Sequence, residues 1–251
     1  MNTTTERNSV EALRASGCCI VHDEHRADQH FADVMQIGEA FAGSEYVQAE
    51  QASRLAGLSS GGLKDFLIRP VGFDTIDSVS PLLKFALGEF MLNTVCDALG
   101  CPVRLHTVEP WYVIPWQGRQ KQWSHSWHRD PEDTRMIKAF LSIGDIIDEC
   151  GPFEYVLGSH VSLFHLCPPG QYLDPAKAGL LPPRLCIRNT APSGSLVMAN
   201  TSGLHRGGYG TKPRSSILFS YVSDATGPQR RFSLVGDAGW ADARQRQVLG
   251  I

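Results

Sequence analysis

Hydrophobic side chains recur at helical spacing in the first hundred residues of the chain and at a shorter, strand-like spacing after them. Residues 8–16 and 28–41 carry apolar side chains three or four positions apart and predict two helices. Between these segments, the apolar run at residues 18–21 predicts a strand. Residues 43–62 are mostly small and polar, which favours a loop or a lid.

The clearest helix begins at Ser80-Pro81 and ends at Gly100. Serine can cap the first turn, and proline suits the first helical position. Glycine readily adopts the left-handed conformation that ends many helices. A broad apolar face lies between these signals, formed by Leu82, Leu83, Phe85, Ala86, Phe90, Met91, Val95 and Leu99. The pattern therefore predicts one continuous helix over residues 81–99.

After Gly100, short runs of β-branched and aromatic residues alternate with turns rich in Pro and Gly. They predict strands at residues 103–114, 123–128, 136–144, 153–157, 185–189, 195–199 and 214–223. Several short strands at this spacing are typical of a β sandwich or barrel. The chain shows neither βαβ alternation nor a Gly-rich phosphate loop, which disfavours a Rossmann or P-loop enzyme. We therefore predict a mainly β protein with flanking helices, of the α+β class.

Length and composition are those of an ordinary globular protein. The chain has 251 residues, of which 42% are hydrophobic and 20% charged. We predict a single domain over residues 1–251, with a helical portion at 1–102, a β core at 103–225 and an extension at 226–251. The formal net charge is -3, so the sequence gives no electrostatic indication of nucleic-acid binding.

The sequence also favours a cytoplasmic protein that has no membrane partner. The first residues are polar and lead into no apolar signal segment, and no apolar run approaches the length of a membrane span. The seven cysteines lack zinc-type spacing, so reduced thiols are expected. The oligomeric state stays open.

The strongest chemical signal is the pair His128 and Asp130, which lies just before Pro131. Side chains two residues apart on an extended backbone point to the same face, so the imidazole and the carboxylate can converge. Arg129 between them would face the other way. A third metal ligand could come from His205, which lies in a Gly-rich segment after another predicted strand. Two histidines and one carboxylate with open positions describe the facial triad of non-haem Fe(II) oxygenases.

Nine residues beyond His205, Arg214 opens the predicted strand at 214–223. An arginine can bind a carboxylate through two parallel hydrogen bonds. Catalytic zinc sites need only a water beside their protein ligands, so a remote, oriented arginine favours iron with a dianionic co-substrate. Arg206 is a rival for this role, but it follows His205 directly and strand alternation turns it to the opposite face.

From His106 to Tyr221, the chain resembles the phytanoyl-CoA dioxygenase family of Fe(II)/2-oxoglutarate-dependent oxygenases. The resemblance rests on Trp127-His128-Arg129-Asp130-Pro131-Glu132-Asp133, Asp145, Gly151-Pro152-Phe153-Glu154-Tyr155-Val156, Gly158-Ser159-His160, His205 and Arg214. The iron motif is specific to the superfamily, and the Gly-Pro-Phe to Gly-Ser-His stretch is fairly specific to the family. Residues 1–100 match only in helical character and in one strand.

The resemblance implies a double-stranded β-helix, that is, a jelly-roll or cupin-like barrel, with a helical N-terminal portion. His128, Asp130 and His205 would be both the catalytic centre and the ligands of Fe(II). Arg214 would bind the distal carboxylate of the co-substrate 2-oxoglutarate, Ser216 would assist by a hydrogen bond, and Phe140 would lie beside it.

A member of this family uses O2 to oxidise a small organic molecule or a secondary-metabolite intermediate, chiefly by hydroxylation, and releases succinate and CO2. Related halogenases lack the carboxylate ligand, so Asp130 favours hydroxylation or another oxidation. Two other functions stay open at this point. One is a cupin-like metal hydrolase or isomerase that uses the same ligands without 2-oxoglutarate, and the other is a non-catalytic ligand-binding barrel.

Several other residues could belong to the site. Trp111, Trp116, Trp123, Trp127 and Tyr209 could line an apolar substrate pocket, although strands are commonly rich in aromatic residues. The remaining histidines, including His125 and His160, are interpreted as packing or surface residues. The acidic run at residues 131–133 is interpreted as a solvated loop with local ion pairs.

Overall fold

The computed structural model describes residues 4–57, 66–72, 74–115 and 125–251, with side chains from Arg7 onward. Five helices precede the β-rich part of the chain and one follows it within these ranges. They are α1 (Thr4–Ser16), α2 (Phe31–Ala42), α3 (Glu45–Leu55), α4 (Pro81–Ala86), α5 (Glu89–Leu99) and α6 (Ala243–Leu249). Short 3-10 helices at residues 24–27, 148–150, 175–180 and 183–185 connect other elements.

Seven of the described strands lie at predicted positions. The strands are β1 (Cys18–Val21), β2 (Leu67–Ile68), β3 (Thr75–Asp77), β4 (Val103–Val113), β5 (Met136–Ile143), β6 (Phe153–Val156), β7 (Cys186–Arg188), β8 (Leu196–Ala199), β9 (His205–Gly207), β10 (Arg214–Ser223) and β11 (Ser233–Val235). The sequence does not predict β2, β3, β9 and β11. An antiparallel six-stranded sheet has the order β1-β8-β5-β10-β4-β2. A three-stranded sheet has the order β7-β6-β9, and β11 pairs with β3 in parallel.

The six-stranded sheet presents two chemically different faces. Along β5, Ile137 and Leu141 belong to the main hydrophobic core, which also contains side chains of α4 and α5. The alternate residues Lys138, Phe140 and Ser142 line a cavity on the other face. One face of the sheet is therefore covered by helices, while the other face is left for a site.

The three-stranded sheet lies on the cavity side of the larger sheet. The rings of Phe140 on β5 and Phe153 on β6 have centroids 5.3 Å apart. Tyr155 on β6 and Val197 on β8 share one buried cluster with them. The architecture thus combines helices with a large antiparallel sheet, in agreement with the predicted α+β class. Closure of the two sheets into a barrel stays a prediction.

Two predicted elements of the N-terminal part are wrong. The expected loop at residues 43–62 contains α3, because Ser44 caps a helix start by accepting a hydrogen bond from the Val47 amide; residues 58–62 lie outside the described ranges. The expected helix over 81–99 is broken at Gly88, where an added Cβ would lie 2.3 Å from an Asp28 carboxylate oxygen. The backbone of Gly88 is extended, with ψ at 154°, and this separates α4 from α5.

The remaining differences are smaller. Of the expected strand at 123–128, residues 125–128 form only isolated bridges at His128, and residues 123–124 lie outside the described part of the chain. The seven cysteines are all free thiols. Within the described residues, no helix has both the length and the apolar character needed to cross a membrane.

Candidate metal centre

Backbone pairing brings His128 and His205 face to face. The amide of each histidine donates to the carbonyl of the other, at 3.0 Å in both directions. Such a mutual pair places the two residues directly opposite each other on adjacent extended segments. Their ring centroids are 4.2 Å apart. His205 is also anchored from its other side, because β9 pairs with β6 through Tyr155.

A backbone carbonyl fixes the orientation of each imidazole. His128 Nδ1 lies 2.8 Å from the Ser126 carbonyl oxygen, and His205 Nδ1 lies 2.9 Å from that of Gly203. A carbonyl only accepts hydrogen bonds, so each Nδ1 carries the proton. The Nε2 atoms therefore keep their lone pairs for a metal, and this is the arrangement usual for histidine ligands.

Asp130 completes the group. Its amide donates to the Thr201 carbonyl at 3.0 Å, which attaches it to the segment that carries His205. The carboxylate lies 3.7 Å from His128 Nε2 through Oδ1 and 3.4 Å from His205 Nε2 through Oδ2. The three donor atoms lie within 4.8 Å of one another. The structure thus brings together all three residues that the sequence predicts as ligands.

This donor set fits an Fe(II) ion. Two neutral imidazole nitrogens and one carboxylate on the same side are the protein ligands of non-haem iron oxygenases, which leave the remaining positions open. His128, Asp130 and His205 also line a cavity of about 120 Å³, so those positions would face this cavity. A site with these features can hold a metal together with a small chelating molecule.

Burial makes His205 a poor base. Removal from water, and then repulsion by His128 and Lys138, outweigh the attraction of Asp130 and lower the pKa of His205 to about 3. Its imidazole is therefore neutral at physiological pH, which is the form that binds metals. Burial alone would raise the pKa of Asp130, but Lys138, His205 and His128 together hold it well below its usual range. The triad is thus ready to bind a metal near neutral pH.

Lys138 is the residue of this site that the sequence interpretation missed. Its Nζ lies 2.7 Å from Asp130 Oδ2 and 3.2 Å from Glu132 Oε1. Burial disfavours the ammonium, but these two carboxylates outweigh it and raise the pKa of Lys138. Glu132 is correspondingly part of the site rather than of a solvated loop. The available signal was the period of two, which places Lys138 on the same strand face as Phe140.

The Gly-rich segment before His205 is shaped by a buried tyrosine. An added Cβ at Gly203 would lie 2.0 Å from the hydroxyl of Tyr155, so only glycine fits there. That hydroxyl donates to the Asn200 carbonyl at 2.9 Å, and the Ser159 hydroxyl oxygen accepts from the Leu204 amide at 2.7 Å. These contacts fix the path of the chain into His205.

Arg129 anchors the motif from behind. Strand alternation predicts that it faces away from the metal side, and its side chain is 1% exposed on that opposite side. The guanidinium donates to the carbonyl oxygens of Cys167, Ser159, Ser202 and Ser162, each at 2.7 Å. One cation therefore ties the segment that carries His128 and Asp130 to three other parts of the chain.

The residues predicted for the co-substrate line the same cavity. Arg214 begins β10, and Ser216 follows it on the same strand face. Phe140 lies between Trp111 and Phe153, with ring centroids 5.8 Å and 5.3 Å away. The cavity therefore has the metal ligands, a guanidinium, a hydroxyl and aromatic walls on its surface.

Arg214 is held by the chain rather than by an opposite charge. Its Nη1 donates to the Cys150 carbonyl at 3.3 Å. Burial, opposed by Cys150 and Glu154, lowers the pKa of Arg214 to about 10, so it stays a cation at neutral pH. The rival Arg206 points elsewhere and donates to Glu154 at 2.7 Å, as strand alternation predicts.

The aromatic residues divide between site and core. Trp111 lines the cavity, whereas Trp127 belongs to a separate buried cluster. Tyr209 stacks on His125 at 4.8 Å. Trp116 and Trp123 lie outside the described residues. His160 lies against the Arg14 carbonyl, with Nε2 at 3.1 Å, and is not among the clustered ligands.

We expect the metal-free protein to lose stability as the pH falls below about 6.5, the usual value for an unfolded histidine. Burial, with a smaller contribution from Arg214, lowers the pKa of His125 to about 4, and that of His205 is about 3. The unfolded state binds the protons first, so each histidine removes up to about 1.4 kcal/mol of unfolding free energy per pH unit in this window. Urea unfolding at pH 7 and pH 4.5 measures the loss.

A variant isolates the contribution of His125. His125→Phe keeps an aromatic ring beside Tyr209 but cannot be protonated, so the pH dependence should become shallower. The exposed His165 provides the matched control, and His165→Gln should leave the pH dependence unchanged. An unchanged slope in His125→Phe would show that His125 keeps its ordinary pKa in the folded protein.

Comparisons with known proteins give similarity in structure only. No protein-family model matches the sequence, and no curated protein matches it. EctD from S. alaskensis with bound Fe is similar over 92% of this chain and 80% of its own, with a TM-score of 0.58 and 17% identity. The epimerase SnoN in complex with Fe3+, alpha ketoglutarate and nogalamycin RO is similar over 94% and 98%, with a TM-score of 0.57 and 15% identity.

A third similar structure is HygX from Streptomyces hygroscopicus with nickel and 2-oxoglutarate bound. It covers 89% of this chain and 89% of its own, with a TM-score of 0.54 and 16% identity. At such identities the likeness shows the fold, which this chain therefore shares with enzymes that bind iron or nickel and 2-oxoglutarate. The His-Asp-His group belongs to this chain itself. Membership of the phytanoyl-CoA dioxygenase family stays a prediction.

Proposed function

We propose that this protein is a non-haem dioxygenase that depends on Fe(II) and 2-oxoglutarate and oxidises a small organic molecule. One observation carries the proposal: His128, Asp130 and His205 share a single cavity with the guanidinium of Arg214. A metal alone would explain the three ligands. The Arg214 guanidinium in the same cavity favours an anionic ligand. A keto acid that chelates the metal through one end would place its second carboxylate at this guanidinium.

The comparisons support the same proposal. The solved structures with this fold include proteins bound to iron, nickel and 2-oxoglutarate, and the alpha ketoglutarate dependent enzymes SnoN and SnoK are named an epimerase and a carbocyclase. Several outcomes are thus compatible with one scaffold. We favour hydroxylation because Asp130 is the carboxylate that related halogenases lose to make room for a halide. We further propose a single domain over residues 1–251, with a double-stranded β-helix core at residues 103–225. A cytoplasmic location also stays a prediction.

The chain's own residues bind, orient and exclude water. Bound iron, 2-oxoglutarate and O2 would supply the oxidising power, with succinate and CO2 as products. His128, Asp130 and His205 would hold the metal on one side. Arg214 would bind the distal carboxylate, and Ser216 would add a hydrogen bond. The ring of Phe140 would pack beside the co-substrate and keep water out.

The test is an anaerobic titration of the metal-free protein with Fe(II) and 2-oxoglutarate, followed by visible absorption. Chelation of Fe(II) by the keto acid gives a weak charge-transfer band, because both donor atoms bind the metal directly. We expect the band in the wild type and its absence in His128→Ala. Stoichiometric iron without the band would contradict the proposal and favour the hydrolase, isomerase or binding-barrel alternatives.

The same titration measures the role of Arg214. A hydrogen bond to a charged group contributes about 1.5–3 kcal/mol, so Arg214→Met should weaken 2-oxoglutarate binding about 10- to 100-fold. Arg206→Met is the matched control, since it removes the same charge beside His205 but on the opposite face. Equal effects of the two substitutions would assign the loss to general electrostatics rather than to a clamp.

A further inference from the structure

A second and larger cavity lies beside the metal centre. Its volume is about 490 Å³, and its wall includes Thr107 and Glu109 of β4, Leu67 of β2 and the side chains of Arg54, Arg69 and Arg231. None of these residues belongs to the metal triad or to the predicted co-substrate clamp. The cavity therefore has no role in the function proposed so far.

The two cavities share a wall. Leu67 lines both of them. Along β4, Thr107 and Glu109 line the larger cavity, while Trp111 and Val113 line the metal cavity. These four positions alternate and so lie on one face of the strand. At about 3.4 Å per residue, the two pairs are centred about 14 Å apart along the strand. An elongated molecule could therefore occupy both cavities at once.

A hydrogen-bonded connection links the two cavities. Glu109 Oε1 accepts a hydrogen bond from Trp111 Nε1 at 2.8 Å, and Glu109 Oε2 lies 3.5 Å from Arg69 Nη1. The Glu109 side chain is mostly buried, whereas that of Arg69 is about half exposed. Glu109 therefore orients Arg69 from one side and leaves the remaining N–H donors of its guanidinium for another partner.

The cations of the larger cavity differ in what they already bind. Arg54 is held by Glu50 at 2.8 Å and by the Leu67 carbonyl at 2.8 Å, so it acts as a structural part of the wall. Arg231 is exposed, and its guanidinium makes no hydrogen bond or ion pair with the described residues. Arg69 and Arg231 are thus the two cations of this wall that have N–H donors available for a ligand. Besides Glu109, the acid in the wall is the exposed Asp74.

We propose that the larger cavity binds an anionic group of the substrate, a carboxylate or a phosphate, between Arg69 and Arg231. The rest of the substrate extends past Leu67 and Trp111, so that the carbon to be oxidised lies at the metal. The substrate role rests on the proposed dioxygenase function. The spacing of the two cavities implies an elongated substrate, with its anionic group roughly 10 Å or more from the reacting carbon.

Binding of inorganic sulfate to the metal-free protein tests the anion site. Sulfate is a dianion at neutral pH and does not precipitate Fe(II). The same probe can therefore be used with the metal-free protein and with the protein loaded with Fe(II). By isothermal titration calorimetry at low ionic strength, we expect saturable binding that weakens at least about tenfold in Arg231→Met and in Arg69→Met. Arg231 is exposed, so its substitution leaves the fold intact even if loss of Arg69 disturbs Glu109.

Two controls locate the binding. The exposed Arg184 lines neither cavity, and Arg184→Met should bind sulfate as the wild type does. Arg214→Met should also retain sulfate binding, because Arg214 faces the metal cavity. Absence of saturable binding would overturn the proposal. So would binding that is lost in Arg214→Met and kept in Arg231→Met, since that result would place the anion at the co-substrate end.

A final stage separates this proposal from the dioxygenase function. In the wild type loaded with Fe(II) and 2-oxoglutarate, saturating sulfate should leave the charge-transfer band in place, because the two anions occupy different cavities. Loss of the band on addition of sulfate would overturn the second site. A band that never forms would defeat the dioxygenase function and with it the substrate role, whereas the calorimetry would still show whether Arg69 and Arg231 bind an anion.

Discussion

Replacement of Arg129 by methionine is expected to destabilise the metal-free protein by about 3–5 kcal/mol, because buried carbonyls lose their donor at about 1–3 kcal/mol each while the cost of burying the guanidinium is relieved. The guanidinium is buried and donates to four backbone carbonyls. Methionine fills similar space but leaves the carbonyls of Cys167, Ser162 and Ser202 without a donor, whereas the Ser159 carbonyl still accepts from the Ser162 amide at 3.3 Å. Each unsatisfied buried acceptor is costly. Urea unfolding of wild type and variant, monitored by circular dichroism, measures the difference.

The matched control is Arg188→Met. Arg188 is 47% exposed, and it contacts Asp148 and Glu154 at 3.3 Å and 3.7 Å. Exposed pairs of this kind contribute about 0–1 kcal/mol, so the control should unfold nearly as the wild type does. Arg129→Lys should recover only part of the loss, because one ammonium cannot reach acceptors on three sides. Equal stabilities of Arg129→Met and Arg188→Met would mean that water replaces the guanidinium.

The sequence predicts the strands of this fold better than its N-terminal helices. Short apolar runs bounded by turn residues place β5, β8 and β10 within one residue of their observed ends, and all three strands contribute side chains to the main hydrophobic core. The break at Gly88 could not be read in this way. The apolar spacing continues across Leu87 and Gly88, so the local pattern gives no sign of the extended backbone at Gly88.

In the candidate site, too, the residues that follow from local spacing are predicted, whereas roles that depend on contacts distant in the sequence are not. His128 and Asp130 follow from a spacing of two, and His205 from its position after a strand. The role of Lys138 depends on Asp130 and Glu132 across a turn, and that of Arg129 depends on carbonyls 30 to 73 residues away. A sequence does not show which backbone carbonyls lie near a side chain. It therefore predicts only that Arg129 faces away from the metal side, and not that Arg129 binds four carbonyls.

Charge balance explains why a lysine belongs beside a metal ligand. Without a metal, Asp130 and Glu132 bring two negative charges into a buried space, and the Lys138 ammonium contacts both. Such a cation stabilises the metal-free protein, since buried carboxylates need a partner. The same cation opposes a divalent ion at the triad. Lys138 therefore raises the stability of the metal-free protein and lowers its affinity for a divalent metal.

Lys138→Met is therefore expected to bind divalent metal more tightly and Asp130→Asn more weakly. Lys138 Nζ lies 2.7 Å from Asp130 Oδ2, so it would lie about 5 Å from a metal on this carboxylate. At that distance, repulsion between one and two charges is about 1.7 kcal/mol even at the dielectric constant of water, which corresponds to a gain of at least about tenfold in Lys138→Met.

Asp130→Asn removes a ligand, so its affinity should fall more than about a hundredfold, since even outer partners of a metal ligand contribute 10–100-fold. Competition of Co(II), an air-stable substitute for Fe(II), against a chromophoric chelator measures both variants, with the exposed Lys177→Met as the charge control. In the double variant the ammonium is gone and the ligand is missing, so affinity should stay low. Weaker Co(II) binding in Lys138→Met alone would show that the lysine orders the Asp130 carboxylate for the metal, and the predicted opposition of charges would then be wrong.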